Sequence, residues 1–76
     1  MSSLDQLGIG EKAVVINVNS SMLCAKMAEM GMVEGVEIRI AFKAPFGDPI
    51  AIELNGTLLS LRKKEAAQVM ISKLNV

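Results

Sequence analysis

Ala44-Pro45-Phe46-Gly47-Asp48-Pro49 separates two runs in which apolar and polar residues alternate. Before it, Val36, Ile38, Ile40 and Phe42 alternate with Glu37, Arg39, Ala41 and Lys43. After it, Ile50, Ile52 and Leu54 alternate with Ala51 and Glu53. A period of two is that of a strand with one buried face. Proline has no N–H to give a ladder, and both prolines of the chain fall in this hexapeptide, so it extends neither strand. It is a shaped connection. Gly47 supplies permissive backbone, and Asp48, just before Pro49, is expected to cap the turn.

Downstream, Asn55-Gly56 is a two-residue hairpin signal, because a type I′ turn needs positive φ at both central positions. That turn sets the register: Leu54 opposes Thr57, Glu53 opposes Leu58, Ile52 opposes Leu59, and Ile50 opposes Leu61. Ile50, Ile52, Leu59 and Leu61 then share the buried face, and Leu58 falls outside beside Glu53. Arg62-Lys63-Lys64-Glu65 is a short charged turn, extended to one helical turn by Ala66 and Ala67, and Val69 to Leu74 is a last strand.

Upstream, Asn19-Ser20-Ser21 offers N-cap side chains for a helix from about Ser21 to about Met30, and Gly31 stands where a helix C-cap wants a left-handed residue. Lys12 to Val18 is rich in β-branched residues and reads as the first strand, with Val14, Ile16 and Val18 on one face. Leu7 to Glu11 is a turn, and Met1 to Gln6 a loose lead-in. Five short strands and one short helix in 76 residues make a mainly β fold, a small and strongly bent barrel in a single domain.

Composition narrows the function. The chain is 51% hydrophobic, a share that a domain this small needs for its core. Eight basic and eight acidic residues balance to zero, whereas a nucleic-acid binder usually shows a basic footprint, so no nucleic-acid partner is expected. The longest uncharged run, Ala13 to Ala25, is too short and too polar to cross a bilayer, and no secretory leader is evident. A single cysteine, Cys24, fits a reducing, cytoplasmic setting. With no histidine, no nucleophile–base pair and no phosphate loop, the chain reads as a non-enzyme without catalytic, cofactor-binding or metal-binding residues. Without Trp or Tyr, it also lacks the aromatic lining of a proline-peptide groove or a base-stacking surface.

Three segments together resemble the FeoA family: Glu29-Met30-Gly31-Met32-x-x-Gly35, the Ala44–Pro49 loop running into Ile50, and Leu59-Ser60-Leu61-Arg62-Lys63-Lys64-Glu65-Ala66. These are small accessory proteins of bacterial ferrous iron transport. The family's usual proline before the second glycine is Glu34 here, which is expected to loosen that turn. The resemblance implies an SH3-like β-barrel, a cytosolic location, and work alongside FeoB, a membrane transporter with a cytosolic G-protein domain. A related module in metal-dependent transcriptional repressors leaves a second reading: an accessory module acting on a repressor.

The binding residues are read as an apolar docking patch of Met22, Met32, Phe46 and Leu58. Leu23, Met27 and Met30 form a helical stripe that plugs the barrel, whereas Met22 and Met32 lie off it. Phe46 stands at the tip of the proline–glycine loop. Cys24 reads as a buried, inert thiol and Arg62-Lys63-Lys64 as a solvated turn. Exposed apolar residues and open strand edges also leave room for weak self-association.

Overall fold

A computed structural model of the chain describes residues 2–74. The sheet is built of β1 (Ser2–Ser3), β2 (Lys12–Val18), β3 (Glu37–Lys43), β4 (Ile50–Leu54), β5 (Thr57–Leu61) and β6 (Val69–Lys73), with α1 (Ser21–Glu29) between β2 and β3 and the single turn α2 (Lys63–Ala66) between β5 and β6. All pairings are antiparallel, in the order β1-β6-β2-β3-β4-β5. The sheet rolls around one core without closing: β1 and β5 are its edges. α2 packs against a 3-10 turn at Leu4–Gln6, which brings the two open edges towards each other at that end.

Six strands replace the expected five. The lead-in is ordered: Ser2 and Ser3 pair with Ile71 and Met70, and Leu4 is fully buried. A two-residue strand of serines followed by a single leucine carries no alternation that would mark it as a strand. Met1 lies outside the described residues. The hairpin follows the expected register at every position, with Asn55 at φ 51° and Gly56 at φ 80°.

Two β-bulges decide which side chains reach the core. In β2 the pairing with β6 shifts between Val15 and Asn17. An extra residue reverses the side-chain phase, so Ala13 and Val15 point inward before the bulge and Val18 packs on the core after it. Val14, Ile16 and Val18 therefore do not share a face. In β3 the shift lies between Ile40 and Phe42. Ile38 and Ile40 are buried, but Phe42 pairs with the outward Ala51 and is 55% exposed. Strict alternation would have put Phe42 inside.

α1 begins at Ser20, whose hydroxyl accepts the Leu23 N–H at 3.3 Å, and ends in a full Schellman motif. Gly31, at φ 89°, donates to the Ala28 carbonyl at 3.0 Å, and Met32 donates to the Met27 carbonyl at 2.9 Å. That motif joins the third-last helical residue to the residue after the glycine through an apolar contact. Met27 and Met32 accordingly both lie in the core, Met32 only 1% exposed. The helix stripe is thus Leu23 and Met27; Met30 is exposed, and Met32 takes the core position expected of it.

Two glutamates close loops with backbone N–H groups. Glu11 accepts the Gly8 N–H at 2.6 Å and pairs with Lys73. Glu65 accepts the Arg62 N–H at 2.9 Å, capping α2, and meets Lys26 of α1 at 3.5 Å. The Lys73 ammonium, with the Gly8 N–H behind it, holds the Glu11 carboxyl below the usual carboxylate range; the Arg62 N–H, with Lys26 adding to it, does so for Glu65.

Two outcomes follow. Met32→Ala should cost about 2–5 kcal/mol in denaturant unfolding, the range for deleting a buried methionine. Met22→Ala, on an exposed first-turn residue, should cost well under about 1 kcal/mol. For acid, folded carboxyls titrating below their unfolded value of about 4.3 stabilise the fold above that pH and lose the contribution as pH falls through it. Unfolding free energy should therefore drop below about pH 4.3, and the double variant Glu11→Gln, Glu65→Gln should show a shallower drop than the parent.

Candidate functional site

The Ala44–Pro49 connection is a four-residue turn followed by a tie to the helix after the hairpin. Gly47 donates to the Ala44 carbonyl at 2.7 Å, closing a turn with Pro45 in second position, where its fixed φ is favoured. Ala44 then donates to the Pro49 carbonyl at 3.1 Å, so the ends of the loop meet. Phe46, in third position, is carried away from the body and is 96% exposed.

Asp48 does not cap its own turn. Its carboxylate accepts the N–H of Lys63, the first residue of α2, at 3.0 Å. The first N–H groups of a helix have no partner within it, and a carboxylate from outside the helix satisfies one of them. The loop and the Arg62–Glu65 turn, fifteen positions apart in sequence, are therefore one structural unit. Asp5, Asp48, Arg62, Lys63 and Lys64 line a wide, open depression at this junction.

The outer face of β3–β4–β5 carries the second part of the site. Register places Arg39, Glu53 and Leu58 in one cross-strand row and Phe42, Ala51 and Ser60 in the next. Leu58 is 59% exposed, as the hairpin register requires. Arg39 donates through Nε to Glu53 Oε1 at 2.8 Å, so the ion pair lies on this face between the apolar positions. Phe42 and Leu58 flank β4 from opposite sides, and Phe46 stands on the loop that joins β3 to β4. Ile9 is exposed along the same margin, since its neighbour Gly10 donates to the Ile40 carbonyl at 2.8 Å.

Of the four residues read as a docking patch, the structure brings Phe46 and Leu58 to this side of the molecule. Met22 is 83% exposed but stands on the first turn of α1, which packs chiefly on β2 and helps fill the core side of the sheet. Met32 is not a surface residue at all. Phe42 is the member that strict alternation conceals, because a bulge leaves no mark in the hydrophobic pattern. Cys24 is exposed, against the expectation of a buried thiol: α1 buries only the Leu23–Met27 stripe, and Cys24 sits one row over, at the mouth of a groove of about 160 Å³ with Val18, Ala28 and Met32. Among the described residues, no cluster of three or more His, Cys, Asp or Glu side chains is placed to hold a metal ion, and no helix is long and apolar enough to cross a membrane.

The FeoA domain model matches residues 2–73. An Fe(2+) transport protein A/Fe(2+) transporter FeoB fusion protein of Porphyromonas gingivalis is 32% identical over 69 residues, covering 90% of this chain. The chain spans only 8% of the length of that relative. The solution structure of a FeoA-like protein from Clostridium acetobutylicum is 42% identical, covers 99% of this chain and 88% of its own, and superposes with a TM-score of 0.89. The crystal structure of Stenotrophomonas maltophilia FeoA is 28% identical, covers 95% of this chain and 91% of its own, and has a TM-score of 0.82. That protein was crystallised with zinc and is described as a procaryotic SH3 domain protein and a candidate ferrous iron transport activating factor. The rolled six-stranded sheet is thus SH3-like, and over nearly all of its length the chain belongs to the FeoA family.

Proposed function

We propose that this FeoA-family chain is a non-enzymatic accessory protein of ferrous iron uptake that works by binding the cytosolic part of a FeoB-type membrane transporter. The observation that carries this reading is the fusion relative, in which a segment similar to this chain and the transporter form one polypeptide. Covalent linkage raises the effective concentration of two partners without new contacts, so it is a direct substitute for docking between separate chains. The description of the Stenotrophomonas maltophilia protein as a transport activating factor points the same way.

The surface offered to the transporter is the outer side of β3–β5 with the loop above it: Phe42, Phe46 and Leu58, rimmed by Arg39 and Glu53. Exposed aromatics surrounded by charge have the composition of a binding surface's centre and rim. Fold stability does not require Phe46 to be apolar, because its backbone turn is set by Pro45 and Gly47. Met22, on α1, lies outside this surface.

Phe46→Glu with Leu58→Lys should weaken binding to the transporter's purified cytosolic domain at least tenfold, about 1.4 kcal/mol or more, while circular dichroism and melting stay as in the parent. Met22→Lys should bind like the parent. Parent-like binding by the double variant would remove the surface from this role; no binding by the parent itself would remove the partner.

A further inference from the structure

We infer that β5 is a self-association edge: two copies of the chain join by antiparallel pairing of Thr57–Leu61 with the same segment of a second copy, about a two-fold axis at Leu59. This does not rest on the transporter reading.

The argument starts from the free groups of the edge. Among the described residues, β5 pairs with β4 alone. In a two-residue hairpin the residues flanking the loop exchange both backbone hydrogen bonds, and hydrogen-bonded and non-hydrogen-bonded pairs then alternate. With Leu54 opposite Thr57, the bonded pairs are Leu54–Thr57, Ile52–Leu59 and Ile50–Leu61. The N–H and C=O groups of Leu58 and Ser60 therefore point away from β4 to the open edge. Natural edge strands are normally blunted by charge, proline or a bulge. Thr-Leu-Leu-Ser-Leu has neither charge nor proline, and its pairing with β4 is regular. The other edge, β1, is only two residues long.

A second copy fits this edge in one register better than in others. Centred on Leu59, the pairing sets Leu58 opposite Ser60 of the other copy, twice, and both pairs are of the bonded kind. Every free backbone group of the two residues is then satisfied by its symmetry mate. Pairing centred on Leu58 sets Ser60 against Gly56, and pairing centred on Ser60 sets Leu58 against Arg62, each beyond the strand. The side chains agree with the same register. On the outer face the row Phe42–Ala51–Ser60 ends at the edge in a small residue. Leu58 of the second copy extends that row and covers its apolar side chain over Ser60 and Ala51. On the inner face Leu59 meets Leu59, and Thr57 meets Leu61.

Five residues a side is far below the roughly 20–30 of a standard interface, so the dimer is concentration-dependent. Amide exchange reads it at single residues. At low concentration the Leu58 and Ser60 N–H groups should exchange rapidly while those of Thr57, Leu59 and Leu61 are protected. At about millimolar concentration sedimentation should report dimers, and Leu58 and Ser60 alone among these five should gain protection, about tenfold or more. Ser60→Pro removes only an N–H that the sheet does not use, and Leu58→Lys puts a charge into the row; each should keep the parent's circular dichroism and sediment as monomer throughout. Monomeric parent at millimolar concentration, dimers without new protection at Leu58 and Ser60, or dimers formed equally by Ser60→Pro would each overturn the inference. So would protection that appears only when the transporter's cytosolic domain is added, which would assign the edge to that partner. Because the dimer is measured with no transporter present, its failure leaves the transporter reading intact.

Discussion

The β-bulge in β3 is the constraint on which the rest of the molecule turns. A six-stranded antiparallel sheet, five of whose strands have only five to seven residues, can bury one face only if it curls, and a bulge supplies local bend and extra twist where it occurs. The two bulges lie in neighbouring strands, at Ile16 in β2 and Ala41 in β3, so the sheet bends across its middle. Their second effect is on side-chain phase. One inserted residue moves everything after it to the other face. In β2 this brings Val18 to the core; in β3 it takes Phe42 out. The same device that rolls the sheet therefore also places an aromatic ring on the outside, next to the loop that carries Phe46.

The second constraint is the bond from the Lys63 N–H to Asp48. Hairpin β4–β5 places the end of β5 beside the start of β4, because Ile50 opposes Leu61. The residue before Ile50 and the residue after Leu61 are thus close by register, and the loop entering β4 meets the helix leaving β5. Asp48 satisfies an α2 N–H from outside, Glu65 satisfies the Arg62 N–H from inside, and Lys26 of α1 reaches Glu65. Three segments distant in sequence are held at one corner. This explains why the proline–glycine loop and the Leu-Arg-Lys-Lys-Glu turn carry the family resemblance together: each supplies the other's missing partner.

Most of the fold was legible in the sequence where a local rule acts alone. Asn55-Gly56 needs positive φ at both positions, and that requirement sets the whole β4–β5 register. Ser20 caps α1 through its own hydroxyl, and Gly31 ends it. Legibility failed where a residue's place depends on a partner it does not reveal. Phe42 continues a perfect alternation, and nothing in Ile40-Ala41-Phe42 announces a bulge. Leu4 belongs to the core because β1 pairs with β6, at the other end of the chain. Cys24 is exposed because α1 buries a stripe only one side chain wide. Met32 is the instructive case, since its signal was present. A left-handed Gly31 implies a Schellman cap, and that cap carries an apolar contact from Met32 back to Met27. A left-handed glycine thus fixes the place of the residue after it as well as its own backbone.

The candidate site was legible to the same degree and for the same reasons. The exposure of Phe46 and Leu58 is legible because turn chemistry and hairpin register are local. The burial of Met32 and the exposure of Phe42 are not legible in composition, because helix capping and bulging redirect side chains without changing it. What unites Phe46 and Leu58 with Phe42 is that the fold does not need any of them to be apolar. The core is built from Ile38, Ile40, Ile50, Ile52, Ile71, Val15 and Val69 with the two buried methionines. Isolated exposed apolar residues are ordinary. Phe42 and Leu58 share one face of the sheet, on the strands either side of β4, which presents Ala51 and the Arg39-paired Glu53 there. Neither side chain contributes to the core, so both positions are free to be specified by a partner.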